Sequence, residues 1–428
     1  MIKTKLRPLS GSTIQLVDGD RGVNYPNKKD FSDNGFCVFL DSSNLTKNGF
    51  DFSSKVFISK NKDVAMGNGK LKRGDLVMNT RGTIGNMGVY KENVPYENIR
   101  INSGMLIIRG GSDYDNGFLY GFFRSNLFYK QVENIMSGSV QSQLPIWIFN
   151  FIQVPELSIP AQQKISTVLS ALDSKIELNN RINAELEQMA KTLYDYWFVQ
   201  FDFPNQNGKP YKKNGGKMVW NKELKRDIPE GWENGSFLKN SLTKILKPGI
   251  NKFEGVKKYL ATADINDREV GLGEDITYQN RESRANMQPI ENSIWFAKMK
   301  ASKKHLFIGK CSPDFVNSHI LSTGFMGLKC KDLAFEYVAS SIASDGFEIV
   351  KDRISHGATM QGIGNDDLKF IQMIVPDDNT LSKYKNLTSS MYSKMESNRQ
   401  ENKKLAELRD WLLPMLMNGQ VTVNTISK

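Results

Sequence analysis

Ile159 to Trp197 reads IPAQQKISTVLSALDSKIELNNRINAELEQMAKTLYDYW. Apolar residues recur at Ile165, Leu169, Leu172, Ile176, Leu186, Leu193 and Trp197. This 3-4 spacing is one stripe of a helix. No glycine or proline follows Pro160, which itself suits a first helical turn. A second copy lies near the C-terminus, SKMESNRQENKKLAELRDWLLPML, Ser393 to Leu416. Ser174, Glu177, Asn179, Asn183, Leu186 and Leu193 recur as Ser393, Glu396, Asn398, Asn402, Leu405 and Leu412, each 219 positions on and without a gap. In a chain of 428 residues this spacing predicts two copies of one unit, each ending in a long amphipathic helix.

Around these helices the composition is that of a globular protein, 39% hydrophobic and 24% charged. No apolar run approaches the ~20 residues of a membrane span, and MIKTKLRPLS has no signal-peptide core. Cys37, Cys311 and Cys330 are scattered, which fits a reduced cytoplasm and offers no metal spacing. His305, His319 and His356 are equally dispersed. Lys and Arg total 57 against 46 Asp and Glu, a net charge of +11. Such an excess favours a polyanionic partner, although a basic protein without one would look the same.

Residues 1–158 read as a mixed α/β domain. Short strands are predicted at Phe36–Leu40, Asp75–Met78, Gly88–Tyr90 and Met105–Ile108, and one helix over Phe118–Val132. After the first long helix, Phe198 to Trp232 is rich in Gly, Pro, Asn and Lys. The aromatics Phe201, Phe203, Tyr211 and Trp220 within it argue for an ordered connector. A second α/β domain spans 233–378 and echoes the first at the same offset. Gly74–Val89 falls on Ser293–Ile308, Arg81 on Lys300, Gly138 on Gly357, and Phe151-Ile-Gln153 on Phe370-Ile-Gln372. The helices repeat well and the domains diverge, as expected if the helices share one task and each domain reads something different.

Motifs of catalysis are missing. There is no GxxxxGK[ST], no Asn/Asp-Pro-Pro-Tyr, no HExxH and no GxSxG, and Glu223-Leu-Lys225 has no paired Asp on a preceding strand. Recognition, with the chemistry left to a partner, fits better than two alternatives: a methyltransferase or nuclease in its own right, or a coiled-coil scaffold with no DNA role.

With these features in place, the chain resembles the specificity subunit of type I restriction-modification systems over nearly its whole length. Gln200–Trp232, QFDFPNQNGKPYKKNGGKMVWNKELKRDIPEGW, is similar to that family's central conserved region. Arg81-Gly-Thr-Ile-Gly85 after Gly74-Asp75 resembles its recognition-domain signature. Gly138-Ser-Val-Gln141 and Gly357-Ala-Thr-Met-Gln361 resemble its Gly-plus-Gln turn. Three places depart from the pattern. Pro160-Ala-Gln-Gln163 lacks the usual Glu, Ala301-Ser-Lys-Lys304 stands where Gly-Thr-Ile-Gly is expected, and no Pro-Glu-Gln precedes the helix near Asn379.

The resemblance implies an α+β fold with an internal pseudo-twofold repeat. Two mixed α/β target-recognition domains, 1–158 and 233–378, are separated by two long antiparallel coiled-coil helices, 159–198 and 379–419. A connector covers 199–232 and a tail 420–428. Each domain is expected to read one half of a split double-stranded DNA target. The helices would space the domains and bind two methyltransferase subunits, with restriction/translocase subunits joining for cleavage. S-adenosylmethionine, ATP and Mg2+ are expected on those partners and none on this non-catalytic, cytoplasmic, membrane-free chain.

The candidate DNA contacts are Arg21, Arg81, Thr83, Gln141, Lys298, Lys300, Lys303, Lys304 and Gln361. Arginine can grip guanine O6/N7 bidentately, and lysine can hold phosphate. Gln141 and Gln361 can read adenine N6/N7, or simply cap a loop. The alternative for each charge is a solvated turn. Running the helices antiparallel about a pseudo-twofold pairs Asn179 with Asn402, Asn183 with Asn398, Leu186 with Met395 and Ile176 with Leu405. Buried asparagines in such a seam fix register at some cost in stability.

Overall fold

The computed structural model describes residues 4–46, 49–136, 143–266, 268–310, 312–421 and 423. Packing divides the chain into two compact units, Met1–Leu178 with Asn402–Lys428, and Asn179–Glu401. The division falls inside both long helices, Ile159–Tyr194 and Asp378–Met417.

In the first unit an antiparallel sheet runs in the order Gln15–Asp18, Met105–Arg109, Leu76–Asn79, Met87–Val89. Alternate residues of a strand face opposite sides. Leu76, Met78, Leu106 and Ile108 therefore share one core with Phe118, Phe122, Phe123 and Phe128, and with Ile165, Leu169 and Leu413 of the long helices. Val77, Met105 and Ile107 enter a second core with Val38, Leu40, Ile99 and Ile101. Covering both faces is why LVM and MLII read as unbroken apolar runs. The second core is closed by a smaller sheet, Val56–Ile58, Cys37–Leu40, Ile99–Ile101, whose last two strands are parallel.

The second unit repeats this topology. Its antiparallel sheet is ordered Thr243–Leu246, Phe325–Cys330, Ser293–Ala297, His305–Ile308. Ile294, Phe296, Met326 and Leu328 face one core, and Trp295, Ala297 and Phe325 the other. A parallel pair, Lys257–Leu260 with His319–Ser322, stands where Cys37–Leu40 and Ile99–Ile101 stand in the first unit. Each fully buried Leu, Ile, Phe or Met contributes about 1.5–3 kcal/mol relative to exposure, so both units hold substantial cores.

The helix expected over Phe118–Val132 is two helices, Asn116–Phe123 and Asn126–Ile135. Ser125 makes the break. Its hydroxyl donates to the Phe122 carbonyl at 2.6 Å and accepts from the Phe128 N–H at 3.3 Å, ending one helix and capping the next. Ser344, at the matching position, does the same between Phe335–Ala343 and Asp345–Ile354.

The connector's aromatics enter the core of the second unit. Trp197, Phe198, Phe201, Phe203 and Trp232 cluster there with Tyr337 and Tyr384. Phe203 stacks between Tyr211 and Trp232. Trp220, on the hairpin Met218–Asn221/Arg226–Pro229, is instead 59% exposed. Trp232 Nε1 donates to Asp377 Oδ2 at 2.9 Å. Asp377 Oδ1 accepts from the Thr380 N–H at 2.9 Å. One carboxylate thus caps the C-terminal helix and ties the connector to it. Burial would raise this carboxyl, but the bonds from Thr380 and Trp232 hold it below the ordinary range.

Within the second unit the two long helices run antiparallel, since Asn183 meets Asn398 while Ala190 meets Tyr384. Asn398 Nδ2 donates to Asn183 Oδ1 at 2.8 Å, and Asn183 Nδ2 donates to the Met395 carbonyl at 3.3 Å. Asn179 Nδ2 donates to Glu401 Oε2 at 2.8 Å. In the first unit Asp173 accepts from Arg124 and Arg409, each at 2.9 Å. Among the described residues no helix is long and apolar enough to cross a membrane, and no cluster of His, Cys, Asp and Glu is placed to hold a metal.

Candidate nucleic-acid interface

In each unit the loop after the central strand of the large sheet is braced from below and exposes a basic residue. In the first unit it links Leu76–Asn79 to Met87–Val89. Thr80 and Arg81 donate backbone bonds to the Gly104 carbonyl at 2.9 and 3.2 Å, and Leu144 donates to Thr80 at 2.7 Å. Arg81 pairs with Gln143 across an isolated bridge and keeps its side chain exposed. Asn79 Nδ2 is shared between the Ser42 carbonyl at 2.8 Å and Thr83 Oγ1 at 2.7 Å, so Thr83 fastens the loop. Gly85 has φ 84° and lies over Tyr129, whose hydroxyl would be 2.0 Å from any Cβ there. Arg21 reaches the same turn, donating to the Ser103 carbonyl at 3.3 Å and pairing with Asp18 at 3.1 Å. Gln141 lies outside the described residues.

The corresponding loop of the second unit, after Ser293–Ala297, carries Lys298, Lys300, Lys303 and Lys304. Lys300 N–H donates to the Gln361 carbonyl at 2.9 Å, and Lys300 Nζ donates to Gln361 Oε1 at 2.8 Å. Both side chains are exposed. The other lysines have internal partners. Lys298 Nζ donates to the Thr323 carbonyl at 3.0 Å, and burial pulls its pKa below the usual lysine value. Lys304 Nζ donates to the Thr262 carbonyl at 2.6 Å, and Lys303 pairs with Asp345 at 3.6 Å.

The missing Gly-Thr-Ile-Gly has a structural counterpart. Ala301 takes φ 54°, the left-handed conformation that Gly82 takes at the matching place with φ 71°. An alanine there costs roughly 1–2 kcal/mol. The conformation is held by Asp352 Oδ1, which accepts from the Ala301 N–H at 2.9 Å. Beneath it lies a buried ion pair with an imidazole bonded to it. Lys351, whose side chain is 0% exposed, pairs with Glu348 at 2.7 Å and donates to the Ser302 carbonyl at 2.8 Å. Glu348 Oε1 meets His305 Nε2 at 2.9 Å. Burial pushes His305 down, so the imidazole is held neutral. Burial alone would raise Glu348, but bonds from His305 and Lys351 keep it below the ordinary carboxylate range. The positions matching His305, Glu348 and Lys351 in the first unit are Asn86, Tyr129 and Val132. One unit props its loop with an aromatic ring, the other with buried charge.

Three exposed residues at the second loop escape a motif search. Met299 and Met360 are 38% and 69% exposed. Arg284 is exposed, and its carbonyl accepts from the Thr323 N–H at 2.9 Å. Only the strand pairing brings Arg284 to this edge, so spacing along the chain gives no hint of it.

An exposed guanidinium or ammonium on a braced loop, repeated in two units of the same topology, is suited to grooves and phosphates of a duplex. Residues 17–188 match the type I restriction modification DNA specificity domain. The chain is 24% identical over 396 residues to the type I restriction enzyme MjaIX specificity subunit of Methanocaldococcus jannaschii, covering 83% of this chain and 79% of that one. It is 23% identical over 461 residues to the type I restriction enzyme HindI specificity subunit of Haemophilus influenzae, covering 94% and 98%. The crystal structure of the type I restriction-modification S subunit from M. genitalium shares the fold, with a TM-score of 0.51, 13% identity, and coverage of 99% of this chain and 97% of that one. Over most of its length the chain is similar to specificity subunits of type I restriction-modification systems.

Proposed function

We propose that this chain is the DNA sequence-specificity subunit of a type I restriction-modification complex and performs no chemistry itself. The observation that carries the finer reading is the repeated braced loop, with Arg81 exposed in one unit and Lys300 in the other. Each α/β domain reads one half of a bipartite duplex target, and the diverged loop chemistry makes the two halves different. The two long helices form an antiparallel coiled coil that spaces the domains and offers equivalent docking sites to two methyltransferase subunits. Those subunits supply S-adenosylmethionine and methylate adenine. A restriction/translocase subunit brings ATP and Mg2+. The helices of 36 and 40 residues would extend roughly 54 and 60 Å at ~1.5 Å per residue. That length exceeds the ~34–36 Å of one DNA turn, so a short unspecified spacer would separate the half-sites. Replacing residues 233–378 by the matching domain of a relative tests this. Methylated adenines mapped with the partner subunit should change in one half of the target only, and a change in both halves would overturn the modular reading.

A further inference from the structure

This inference rests on the reading of the chain as a DNA-specificity subunit and concerns which base the second domain selects. Lys300 Nζ and Gln361 Oε1 lie 2.8 Å apart on exposed side chains. The backbone fixes the pair, because Lys300 N–H donates to the Gln361 carbonyl at 2.9 Å and Ile363 N–H donates to the Lys298 carbonyl at 3.0 Å. His356 and Gly362 exchange two further bonds at 3.0 Å, closing the turn that carries Gln361.

An ammonium has three donors and no acceptor. Whichever way the amide would otherwise turn, it must give its oxygen to Lys300. The outward face is then dominated by donors, the amide Nε2–H groups and the remaining N–H groups of the charged Lys300, against one remaining lone pair on Oε1. A free glutamine reads adenine by accepting from N6 and donating to N7. With one lone pair of its oxygen taken, Gln361 can accept from N6 only beside an ammonium that repels that amino group. Guanine presents two acceptors in the major groove, O6 and N7, and no donor beside them. Adenine sets a donor next to N7, thymine offers the single acceptor O4, and cytosine offers only a donor. We infer that Lys300 and Gln361 form a cationic, donor-rich reading head that selects guanine in the half-site of the second domain. The base order it imposes is guanine first, adenine and thymine next, cytosine last.

The test uses the full chain assembled with its methyltransferase partner. Methylated adenines define the target, and the 233–378 replacement assigns one half-site to the second domain. Binding is then measured on duplexes carrying each base, and 7-deazaguanine, at every position of that half-site. One guanine should stand out. Its replacement by cytosine should lower affinity about 5- to 150-fold, the range of one good bidentate contact. Replacement by 7-deazaguanine should cause a smaller loss. Lys300→Met should free the amide oxygen and erase the preference for guanine over adenine at that position alone. The inference is overturned if the half-site holds no such guanine, or if Lys300→Met leaves its discrimination intact. A uniform loss across all sequences would overturn it too, since that is the mark of a phosphate contact. Absence of any sequence-specific methylation would instead remove the specificity reading on which it stands.

Discussion

Gly85→Ala puts the architecture of the first loop to a quantitative test. Gly85 sits at φ 84°, where an alanine costs about 1–2 kcal/mol. The new Cβ would lie 2.0 Å from the Tyr129 hydroxyl and 3.0 Å from its ring carbon, so this partly buried ring must shift against the core it packs on. Overpacking of that kind costs about 1–3 kcal/mol. The sum is a destabilisation of about 2–5 kcal/mol for the first unit. Urea unfolding with hydrogen exchange on Leu76–Asn79 and Met105–Arg109 measures it where it acts. Adding Tyr129→Phe removes the closest atom and should return part of that ~1–3 kcal/mol, leaving the tight ring-carbon contact at 3.0 Å and the backbone strain. Lys304, the matching residue of the second unit, is not among the left-handed residues. Lys304→Ala should therefore cost no more than the ~0.5–1.5 kcal/mol of its bond to Thr262. An unchanged urea midpoint for Gly85→Ala, or no recovery in the double variant, would refute the brace.

Other expectations follow from the same contacts. Asn398→Leu strands Asn183 and should cost about 1–3 kcal/mol in urea unfolding, while the double change with Asn183→Leu should be near neutral; equal losses in both would refute the pair. Lys351→Met leaves Glu348 buried without its cation and should destabilise the second unit by about 3–5 kcal/mol. His305 is neutral in the fold, facing Glu348, Lys351 and Arg268, and its folded pKa is depressed. The stability it contributes is complete above the unfolded value of ~6.5 and falls as pH drops below it. The Glu348 contribution is lost further down, and His305→Asn should flatten the upper step seen in urea midpoints between neutral and mildly acidic pH. Deleting 177–183 and 396–402 shortens each helix by about 10 Å at ~1.5 Å per residue and should shrink the target's spacer by about three base pairs. Methylation mapping that returned the original spacer would show that the helices do not set it.

Much of this architecture is legible in the sequence because it is periodic or repeated. The stripe from Ile165 to Trp197 and its copy 219 positions on mark both long helices. The apolar runs around Val77 and Ile107 mark strands buried on both faces. What escapes is long-range or cooperative. Ser125 is one polar residue in an aromatic run, and only the bonds to Phe122 and Phe128 turn it into a helix boundary. Lys351 and Glu348 look like surface charges of an amphipathic helix, yet the loop above them buries Lys351 completely. Lys298 and Lys304 look like free cations and bond backbone carbonyls. Conversely, the Lys300–Gln361 contact joins two candidates 61 positions apart that spacing alone could not connect.

The central claim is that this chain chooses the DNA sequence and its partners do the chemistry. Co-expression with the partner methyltransferase, followed by genome-wide mapping of methylated adenines, tests it most directly. A single bipartite motif with two unlike half-sites and a fixed spacer, present only when this chain is expressed, is the predicted result. The same methylation pattern without this chain, or methyl transfer by the purified chain alone, would contradict it.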